Sequence, residues 1–318
     1  MSSVKRRPGE NTTAFTLAAQ RSAQPKVSIV VINYNTGSYL RRCVASVLKF
    51  APNAEIVIWD NASSDDSLVL QSQTLETVRL IRSPRNVGFA RAVNAAVKAC
   101  SGEFILLLNP DTEARSDFVS PLVNFIERHG RRGIVGGKVV NPDGSLEKAC
   151  RRAIPTPTAA LLRLTGISLL FPNSRRLPLY NLPDSTNDRA HKVGAVSGSF
   201  CMFPRELAKR VPFDEQFFLF GEDLDFCLRA SKLGESVWFV PFASVIHQKG
   251  VSMRRRPIFS LLCFYDSMLK FYKKHFASRH SLAFNFVVFI AIWALAFPKM
   301  IFRLVVLPIQ CVLKSLEG

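Results

Sequence analysis

The sequence is short of acidic residues and has no closely paired cysteines. Its 318 residues include 24 Asp and Glu against 42 Lys and Arg, which gives a net charge of +18. The seven cysteines are scattered without a Cys-x-x-Cys pair. This pattern argues against a zinc cluster or a disulfide framework and fits a reducing cytosol. The positive charge predicts a polyanionic partner, which could be nucleic acid, an anionic membrane face or a phosphorylated substrate.

Two common nucleotide-binding motifs are also missing. No Gly-x-Gly-x-x-Gly follows the first apolar run, and no Gly-Lys-Ser/Thr of the P-loop type occurs, so both of these classes are disfavoured. Residues 1–26 contain Lys5, Arg6 and Arg7 but no apolar run of the signal-peptide kind, and we expect a flexible basic tail there. The apolar fraction of 48% is nevertheless that of a folded protein with a large core.

From residue 27 onward, short apolar runs alternate with segments of helical periodicity. The apolar runs predict strands at 27–32, 55–59, 78–81 and 104–108. The periodic segments predict helices at 38–49, 65–74 and 87–100. Continuous apolar strands that alternate with helices indicate an α/β fold whose mostly parallel sheet is covered by helices on both faces. Such sheets bind ligands at the carboxyl ends of their strands.

Polar side chains follow each of these four predicted strands. They are Asn33, Tyr34 and Asn35, then Asp60 and Asn61, then Arg82 and Asn86, and finally Asn109 and Asp111. Turns favour Asn, Asp and Pro in any protein, which accounts for any one strand end taken alone. All four together favour a ligand site. A single carboxylate suits a metal–diphosphate site, because Mg²⁺ commonly takes one or two carboxylates plus substrate phosphates.

The second half of the chain is less regular. Residues 141–192 are rich in proline and arginine and predict loops with a short helix, whereas 193–203 and 236–240 predict strands. Helices are expected at 204–210 and 222–233. We therefore expect one domain at 27–257, with a nucleotide-binding half at 27–140 and an acceptor half at 141–257.

The C-terminal part, 258–318, predicts amphipathic and hydrophobic helices. Ser281–Phe297 has 17 residues without a charge, which is at the short limit for a membrane span. Pro298, Lys299 and Arg303 are expected to interrupt this helix. A hairpin would have to carry these cations across the bilayer, so we expect helices that lie on or dip into the cytoplasmic leaflet. A single span and a soluble helical cap are the alternatives.

Ordered sequence blocks carry a resemblance to a known family. They are VINYN (31–35), DNASSD (60–65), NVGFARAVN (86–94), LLLNPDT (106–112), GSF (198–200), FDEQFF (213–218), GEDLD (221–225) and HQKG (247–250). In this order the blocks resemble the family 2 inverting glycosyltransferases of the GT-A fold, and most closely their rhamnosyltransferase-type branch. The resemblance covers roughly residues 27–250. It implies a Rossmann-like nucleotide-diphospho-sugar transferase that uses Mg²⁺ or Mn²⁺.

The resemblance also implies roles for the residues at the strand ends. Those expected to bind the nucleotide sugar are Tyr34, Asn35, Asp60, Asn61, Arg82, Asn86, Arg91 and Asn109. Asp111 is expected to be the metal carboxylate, and His247 to complete the metal or diphosphate site. Asn109 stands where the family's Asp-x-Asp motif has its first acid, so that metal binding would depend more on the diphosphate of the donor.

On the acceptor side, the resemblance makes Asp223 the general base that takes the proton of the acceptor hydroxyl. Glu222 and Asp225 are expected to support the acceptor. A structural alternative exists, because acids in the first turn of a helix are favoured by the helix dipole. Glu222, Asp225 and Arg229 also share one helical face, where they would pair with one another.

The leading hypothesis is therefore transfer of a sugar, L-rhamnose from dTDP-rhamnose, to a lipid-linked or saccharide acceptor in cell-surface polysaccharide synthesis. The expected location is the cytoplasmic face of the plasma membrane, with an anionic lipid surface as partner. A UDP-sugar donor is an alternative. A nucleic-acid-binding protein is not expected, because no aromatic-rich RNA motif or reading helix is evident. An inactive membrane scaffold with the same fold is a further alternative.

Overall fold

The computed structural model describes residues 26–70, 77–157, 187–248, 250–251 and 256–302. The expected basic tail before residue 26, much of the proline-rich region and the segment after 302 lie outside the described residues. So does the last part of the helix expected at 65–74, of which the described part forms a short 3₁₀ turn, Asp66–Leu68.

The described strands and helices confirm the alternation expected from the sequence. The strands are β1 (Val27–Asn33), β2 (Glu55–Asp60), β3 (Val78–Arg82), β4 (Phe104–Leu108), β5 (Thr112–Ala114), β6 (Ile134–Val140), β7 (Arg151–Arg152), β8 (His191–Lys192), β9 (Ala195–Val196), β10 (Phe200–Pro204) and β11 (Val237–His247). The helices of six residues or more are α1 (Ser38–Phe50), α2 (Phe89–Lys98), α3 (Ser120–Arg128), α4 (Arg205–Arg210), α5 (Glu222–Lys232), α6 (Pro257–His275) and α7 (Leu282–Ile301).

Nine of these strands form one mixed sheet in the described part of the chain. Its order is β3-β2-β1-β4-β10-β6-β11-β5, with β8 paired to β11. Six strands run in one direction, because the β1–β2, β1–β4, β2–β3 and β6–β11 pairs are parallel and β10 is antiparallel to both β4 and β6. Strands β5, β8 and β10 run the other way. The expected mostly parallel sheet is confirmed.

Side chains alternate between two cores, one on each face of the sheet. In β1, Ile29 and Val31 enter one core with residues of α1 and α3, while Val30 and Ile32 enter the other with residues of α2, α4 and α5. Burial on both faces explains why the strands read as unbroken apolar runs. The sheet is thus a rigid platform whose strand ends can hold a site.

Local patterns did not predict β5, α3 and β6. Strand β6 contains Gly136 and Gly137, which have low strand propensity. Both are needed there because added Cβ atoms would lie 2.5 Å from Val196 and 2.0 Å from the Phe200 ring. The single strand expected at 193–203 is instead divided into β9 and β10 by residues 197–199.

Helices α6 and α7 pack on each other through a small third core that includes Leu261, Tyr265, Ile292 and Ala296. The expected break at Pro298 is wrong, because α7 continues through it to Ile301. Pro298 removes one backbone donor only in the last turn. The hydroxyl of Tyr265 donates to the carbonyl of Leu295 (3.1 Å) and ties this end of the helix to α6.

Candidate active site

The carboxyl ends of β1, β2, β4, β6 and β11 meet at one edge of the sheet because these strands are parallel. The antiparallel β10 starts at this edge, with Phe200 opposite Leu108 of β4. The backbone N–H of Asn109 donates to the carbonyl of Ser199 (3.0 Å). This hydrogen bond joins the end of β4 to the segment 197–199.

Asp60 lies at the centre of a buried network at the ends of β1 and β2. It is fully buried, and its Oδ1 accepts from Asn33 Nδ2 (3.0 Å). Its Oδ2 accepts from the backbone N–H of Ser63 (3.1 Å), and Arg82 Nε lies 3.8 Å away. Asn33 also donates to the hydroxyl of Ser67 (2.9 Å). The network fixes the carboxylate and the loop after β2.

Asn61 and Asn86 shape the next turn. Asn61 donates to the carbonyl of Gly88 (3.2 Å) and accepts from the N–H of Val87 (3.3 Å), while Asn86 Oδ1 accepts from the N–H of Gly88 (3.0 Å). Gly88 has φ of 86°, and an added Cβ would lie 2.7 Å from the carbonyl oxygen of Phe218. Only glycine therefore fits at this close approach of two chain segments.

Three residues predicted from the sequence, Asn35, Tyr34 and Arg91, lie at or beyond the rim of the Asp60 network. Asn35 adopts φ of 52°, and its side-chain oxygen accepts from the N–H of Ser64 (2.8 Å), which places it at the rim of the Asp60 network. Tyr34 is half-buried beside it. Arg91 is exposed on α2 and pairs with Glu215 (2.8 Å), so the structure does not join it to Asp60.

Asp111, His247 and Glu147 form a buried cluster at the ends of β4, β6 and β11. His247 Nδ1 lies 2.8 Å from Glu147 Oε2, and His247 Nε2 lies 3.0 Å from Asp111 Oδ1. The side-chain amide of Asn109 is 3.4 Å from the same Nε2. Burial lowers the pKa of His247, but hydrogen bonds to the two carboxylates outweigh burial and raise it to about 9.

Two members of this cluster, Asp111 and His247, offer ligand atoms to a divalent cation. Glu147 can only accept a hydrogen bond, so it fixes the proton of His247 on Nδ1 and turns Nε2 toward Asp111, as outer carboxylates do for metal-bound histidines. A cation would replace the Nε2 proton and take Nε2 and the Asp111 carboxylate as ligands. The described residues contain no group of three His, Cys, Asp or Glu suited to a metal. The remaining ligands would therefore come from Asn109, water and the diphosphate of a substrate.

Asp223 occupies the first turn of α5, beside the segment that contacts Asn109. Its Oδ2 accepts from the N–H of Gly198 (3.1 Å) and from Arg152 Nη2 (2.6 Å). Its Oδ1 accepts from the N–H of Leu224 (2.7 Å). Because Gly198 directly precedes Ser199, the Asp223 carboxylate and the Asp111 cluster lie at the same edge of the sheet.

Glu222 is a buried acid beside Asp223. Its Oε2 has no hydrogen-bond partner among the described residues. Burial, followed by repulsion from Asp223, raises the pKa of Glu222 to about 8. Phe220 and Gly221 precede it with φ of 69° and 79°. A left-handed phenylalanine is strained, and such strain is concentrated at functional sites.

Asp225 faces away from Asp223 and toward α6. It is fully buried and accepts from Arg229 Nε (2.6 Å), Lys274 Nζ (2.6 Å) and His275 Nε2 (2.8 Å). Arg229 was the partner expected from the sequence, whereas the two residues of α6 were not. The role of acceptor support expected for Asp225 does not fit this position, because its oxygens are occupied in fastening α6 to α5.

Residues 28–211, more than half of the chain, match the model of glycosyl transferase family 2. The chain belongs to this family. Residues 180–314 also match the model of glycosyl transferase family group 2. The expectation of a glycosyltransferase of the GT-A fold is therefore confirmed.

Two curated relatives of the transferase cover most of its length. It is 28% identical over 268 residues to the N-acetylglucosaminyl-diphospho-decaprenol L-rhamnosyltransferase of Mycobacterium tuberculosis, which covers 80% of this chain and 84% of the relative. It is 24% identical over 245 residues to the low-salt glycan biosynthesis hexosyltransferase Agl10 of Haloferax volcanii, which covers 76% and 73%.

A crystal structure of residues 1–349 of S. aureus TarS is 16% identical, with a TM-score of 0.48, and the match covers 80% of this chain and 73% of that one. The transferase spans less than half, 44%, of a longer TarS chain.

Two charged residues of the transferase's candidate site were missed from the sequence. Glu147 and Arg152 both lie in the irregular region that begins at 141. Neither belongs to a periodic pattern, and each reaches its partner across a long sequence separation: 100 residues to His247 and 71 to Asp223. Nothing in the local sequence marks them out.

Proposed function

We propose that the transferase moves L-rhamnose from dTDP-rhamnose onto a lipid-linked or saccharide acceptor, with inversion at the anomeric carbon, in the synthesis of a cell-surface polysaccharide. The observation that carries this proposal is that two acidic side chains, Asp111 and Asp223, lie at the same edge of the sheet. Asp111 with His247 lies on one side, Asp223 lies on the other, and the Asn109–Ser199 hydrogen bond links them. The similarity to the N-acetylglucosaminyl-diphospho-decaprenol L-rhamnosyltransferase of M. tuberculosis supports the choice of sugar and a polyprenyl-linked acceptor.

On the donor side, the buried Asp60 network binds the nucleotide. Asn35 and Tyr34 lie at its rim, Asn61 fixes the turn beside it, and Arg82, 3.8 Å from Asp60, is the nearby cation for a phosphate. Asp111 and His247 would hold Mg²⁺ or Mn²⁺, with Asn109 as a neutral neighbour. A cation held there would supply positive charge to the diphosphate leaving group.

On the acceptor side, Asp223 is the general base. The acceptor hydroxyl gives its proton to Asp223 while its oxygen bonds to the anomeric carbon of the sugar. The bond from that carbon to the diphosphate oxygen breaks, and the electron pair leaves with the nucleoside diphosphate. Attack from the face opposite the leaving group inverts the anomeric carbon. A positioned base of this kind contributes about 10²–10⁴-fold to the rate.

Helix α7 attaches the transferase to a membrane. Among the described residues it is the one helix long and apolar enough to cross a bilayer, with a mean hydropathy of 1.9, and only 11% of its apolar stretch is buried. Its 20 residues span about 30 Å, the thickness of a hydrocarbon core. Exposed side chains such as Phe286, Phe289 and Phe297 face outward. The net charge of +18 favours the anionic cytoplasmic leaflet.

The test is a transfer assay on membranes containing the full chain. Labelled dTDP-rhamnose and a panel of labelled UDP-sugars are each supplied with Mn²⁺ or Mg²⁺ and a polyprenyl-diphosphate-linked sugar. We expect label to enter the lipid fraction from dTDP-rhamnose, and Asp223→Asn to abolish that transfer. Glu206→Gln, which alters an exposed carboxylate on α4, is the matched control and should retain activity.

Other outcomes have defined meanings. Transfer from a UDP-sugar alone would replace the donor and keep the reaction. No transfer from any donor by folded protein would contradict the proposal. That result would favour the alternative of an inactive membrane scaffold. The scaffold alternative further predicts that Asp223→Asn has no effect in cells. Tight, salt-sensitive binding of DNA or RNA would instead favour the nucleic-acid alternative.

A further inference from the structure

Arg152 is a buried cation that contacts the carboxylate of Asp223. It lies in the two-residue strand β7, which pairs with β9 so that Arg152 is opposite Ala195. Its Nη2 donates to Asp223 Oδ2 (2.6 Å) and to the carbonyl of Val196 (3.0 Å). The two side chains are 10% and 14% exposed. A charge-assisted hydrogen bond with so little access to water is short and strong.

The two oxygens of Asp223 differ in their surroundings. Oδ2 accepts from a guanidinium and from the N–H of Gly198, so its lone pairs are engaged. Oδ1 accepts from the neighbouring N–H of Leu224, and no other donor among the described residues reaches it. Each carboxylate oxygen has two lone-pair sites, so Oδ1 keeps the capacity to receive a proton.

We propose that Arg152 is a positioning residue for the transfer reaction. By holding Oδ2, it fixes the plane of the Asp223 carboxylate, presents Oδ1 to the acceptor hydroxyl and places a positive charge beside the carboxylate. This inference rests on the proposed role of Asp223 as the base. The transferred proton moves from the acceptor oxygen to Oδ1, while Oδ2 stays bound to Arg152 throughout.

The other titratable groups around Asp223 do not replace Arg152. They are Cys201 of β10 and, on α5, Glu222 and Cys227. Burial raises the pKa of both thiols, to about 12 for Cys227, so both are neutral. Burial, followed by repulsion from Asp223, also raises the pKa of Glu222. Among the described residues, Arg152 is therefore the cation that balances Asp223.

Arg151 provides a matched control on the same strand. It is buried as deeply as Arg152, but its Nη2 donates to Asn187 (2.7 Å) and its guanidinium lies over the Phe239 ring at 5.4 Å. Loss of either arginine removes a buried cation from β7. Only loss of Arg152 removes a contact with Asp223.

The experiment measures kcat and KM for the acceptor across a pH series, with the full chain in membranes. The variants are Arg152→Gln, Arg152→Lys and Arg151→Gln. We expect Arg152→Gln to lower kcat about 100-fold, within the range of a positioned base. We also expect it to move the acidic limb of the pH–rate profile upward by about one pH unit, as loss of an adjacent cation does for a carboxylate. Arg152→Lys should recover part of both effects, and added guanidinium should raise the rate of Arg152→Gln.

Arg151→Gln should leave the pH profile in place. An unmoved acidic limb in folded Arg152→Gln would overturn the inference. So would a change confined to the acceptor KM, because Arg152 would then bind the acceptor. If Arg152→Gln does not fold, the pH profile of Arg152→Lys decides in the same way. If Asp223→Asn stays active, the proposed base itself is wrong; if Asp223→Asn is inactive and the arginine variants behave normally, only the inference on Arg152 fails.

Discussion

Replacing Glu222 with glutamine should make the protein more stable at neutral and alkaline pH. The carboxyl is buried, and its pKa rises from 4.5 to about 8 because of burial and of repulsion from Asp223. Folding therefore favours the protonated carboxyl. The stability that this provides is complete below pH 4.5 and is lost as the pH rises toward 8. Glutamine cannot ionise, so the variant avoids this loss.

This pKa shift sets the upper limit of the effect on stability. A difference of about 3.5 pH units corresponds to about 5 kcal/mol at 1.36 kcal/mol per unit. With an unfolding entropy of about 2.1 cal/mol/K per residue, this is a rise in Tm of about 7 °C. Part of this stabilisation comes from removing the repulsion between Glu222 and Asp223. Asp223→Asn removes only that repulsion and should therefore raise the Tm by a smaller amount.

The assay is thermal unfolding of the detergent-solubilised protein at pH 5, 7 and 9, with wild type, Glu222→Gln and the exposed Glu206→Gln compared in parallel. The Tm advantage of Glu222→Gln should be small at pH 5 and largest at pH 9. An equal Tm difference between Glu222→Gln and wild type at all three pH values would refute the reasoning, because it would show that Glu222 does not change its ionisation over this range.

Three further predictions concern the proposed metal site, the contact between α5 and α6, and the membrane helix α7. Glu147→Gln should weaken Mn²⁺ binding about 10–100-fold in a metal titration, because His247 loses the carboxylate that orients its ring. The control Glu113→Gln should leave Mn²⁺ binding unchanged. Asp225→Asn should destabilise the protein by about 3–5 kcal/mol and speed hydrogen exchange in α6, because Lys274 and His275 lose a buried anion. The control Asp266→Asn alters an exposed ion pair and should change neither stability nor exchange. Phe286→Glu with Phe289→Glu should prevent flotation with anionic lipid vesicles, since each charge costs about 2.5–3.5 kcal/mol in the bilayer, whereas Phe242→Glu on the catalytic domain should float normally.

The first half of the sheet could be predicted because each of its strands is marked by its own run of apolar residues. Strands β1, β2 and β4 are continuous apolar runs, and the predicted 104–108 strand matches the structure. The second half depends on distant contacts. Strand β10 enters between β4 and β6 in the antiparallel direction, and the glycines of β6 are explained only by the Val196 and Phe200 side chains packed on them.

The candidate site divides in the same way. Asp60, Asp111 and Asp223 stand at predictable positions, at strand ends and in the first turn of a helix. Arg152 and Glu147 reach the site from an irregular region with no periodic pattern. The side chain of Asp225 could have faced the site or α6. Its direction is decided by Lys274 and His275, about 50 residues later in the chain, which no pattern within α5 reveals.

The most direct test of the central claim is the anomeric configuration of the transferred sugar. Membranes containing the full chain would receive isotope-labelled dTDP-rhamnose and the lipid-linked acceptor, and NMR of the product would report the new linkage. We predict a configuration opposite to that of the donor with wild type and Glu206→Gln, and no product with Asp223→Asn. A product that retains the donor configuration, or one formed equally well by Asp223→Asn, would contradict the account.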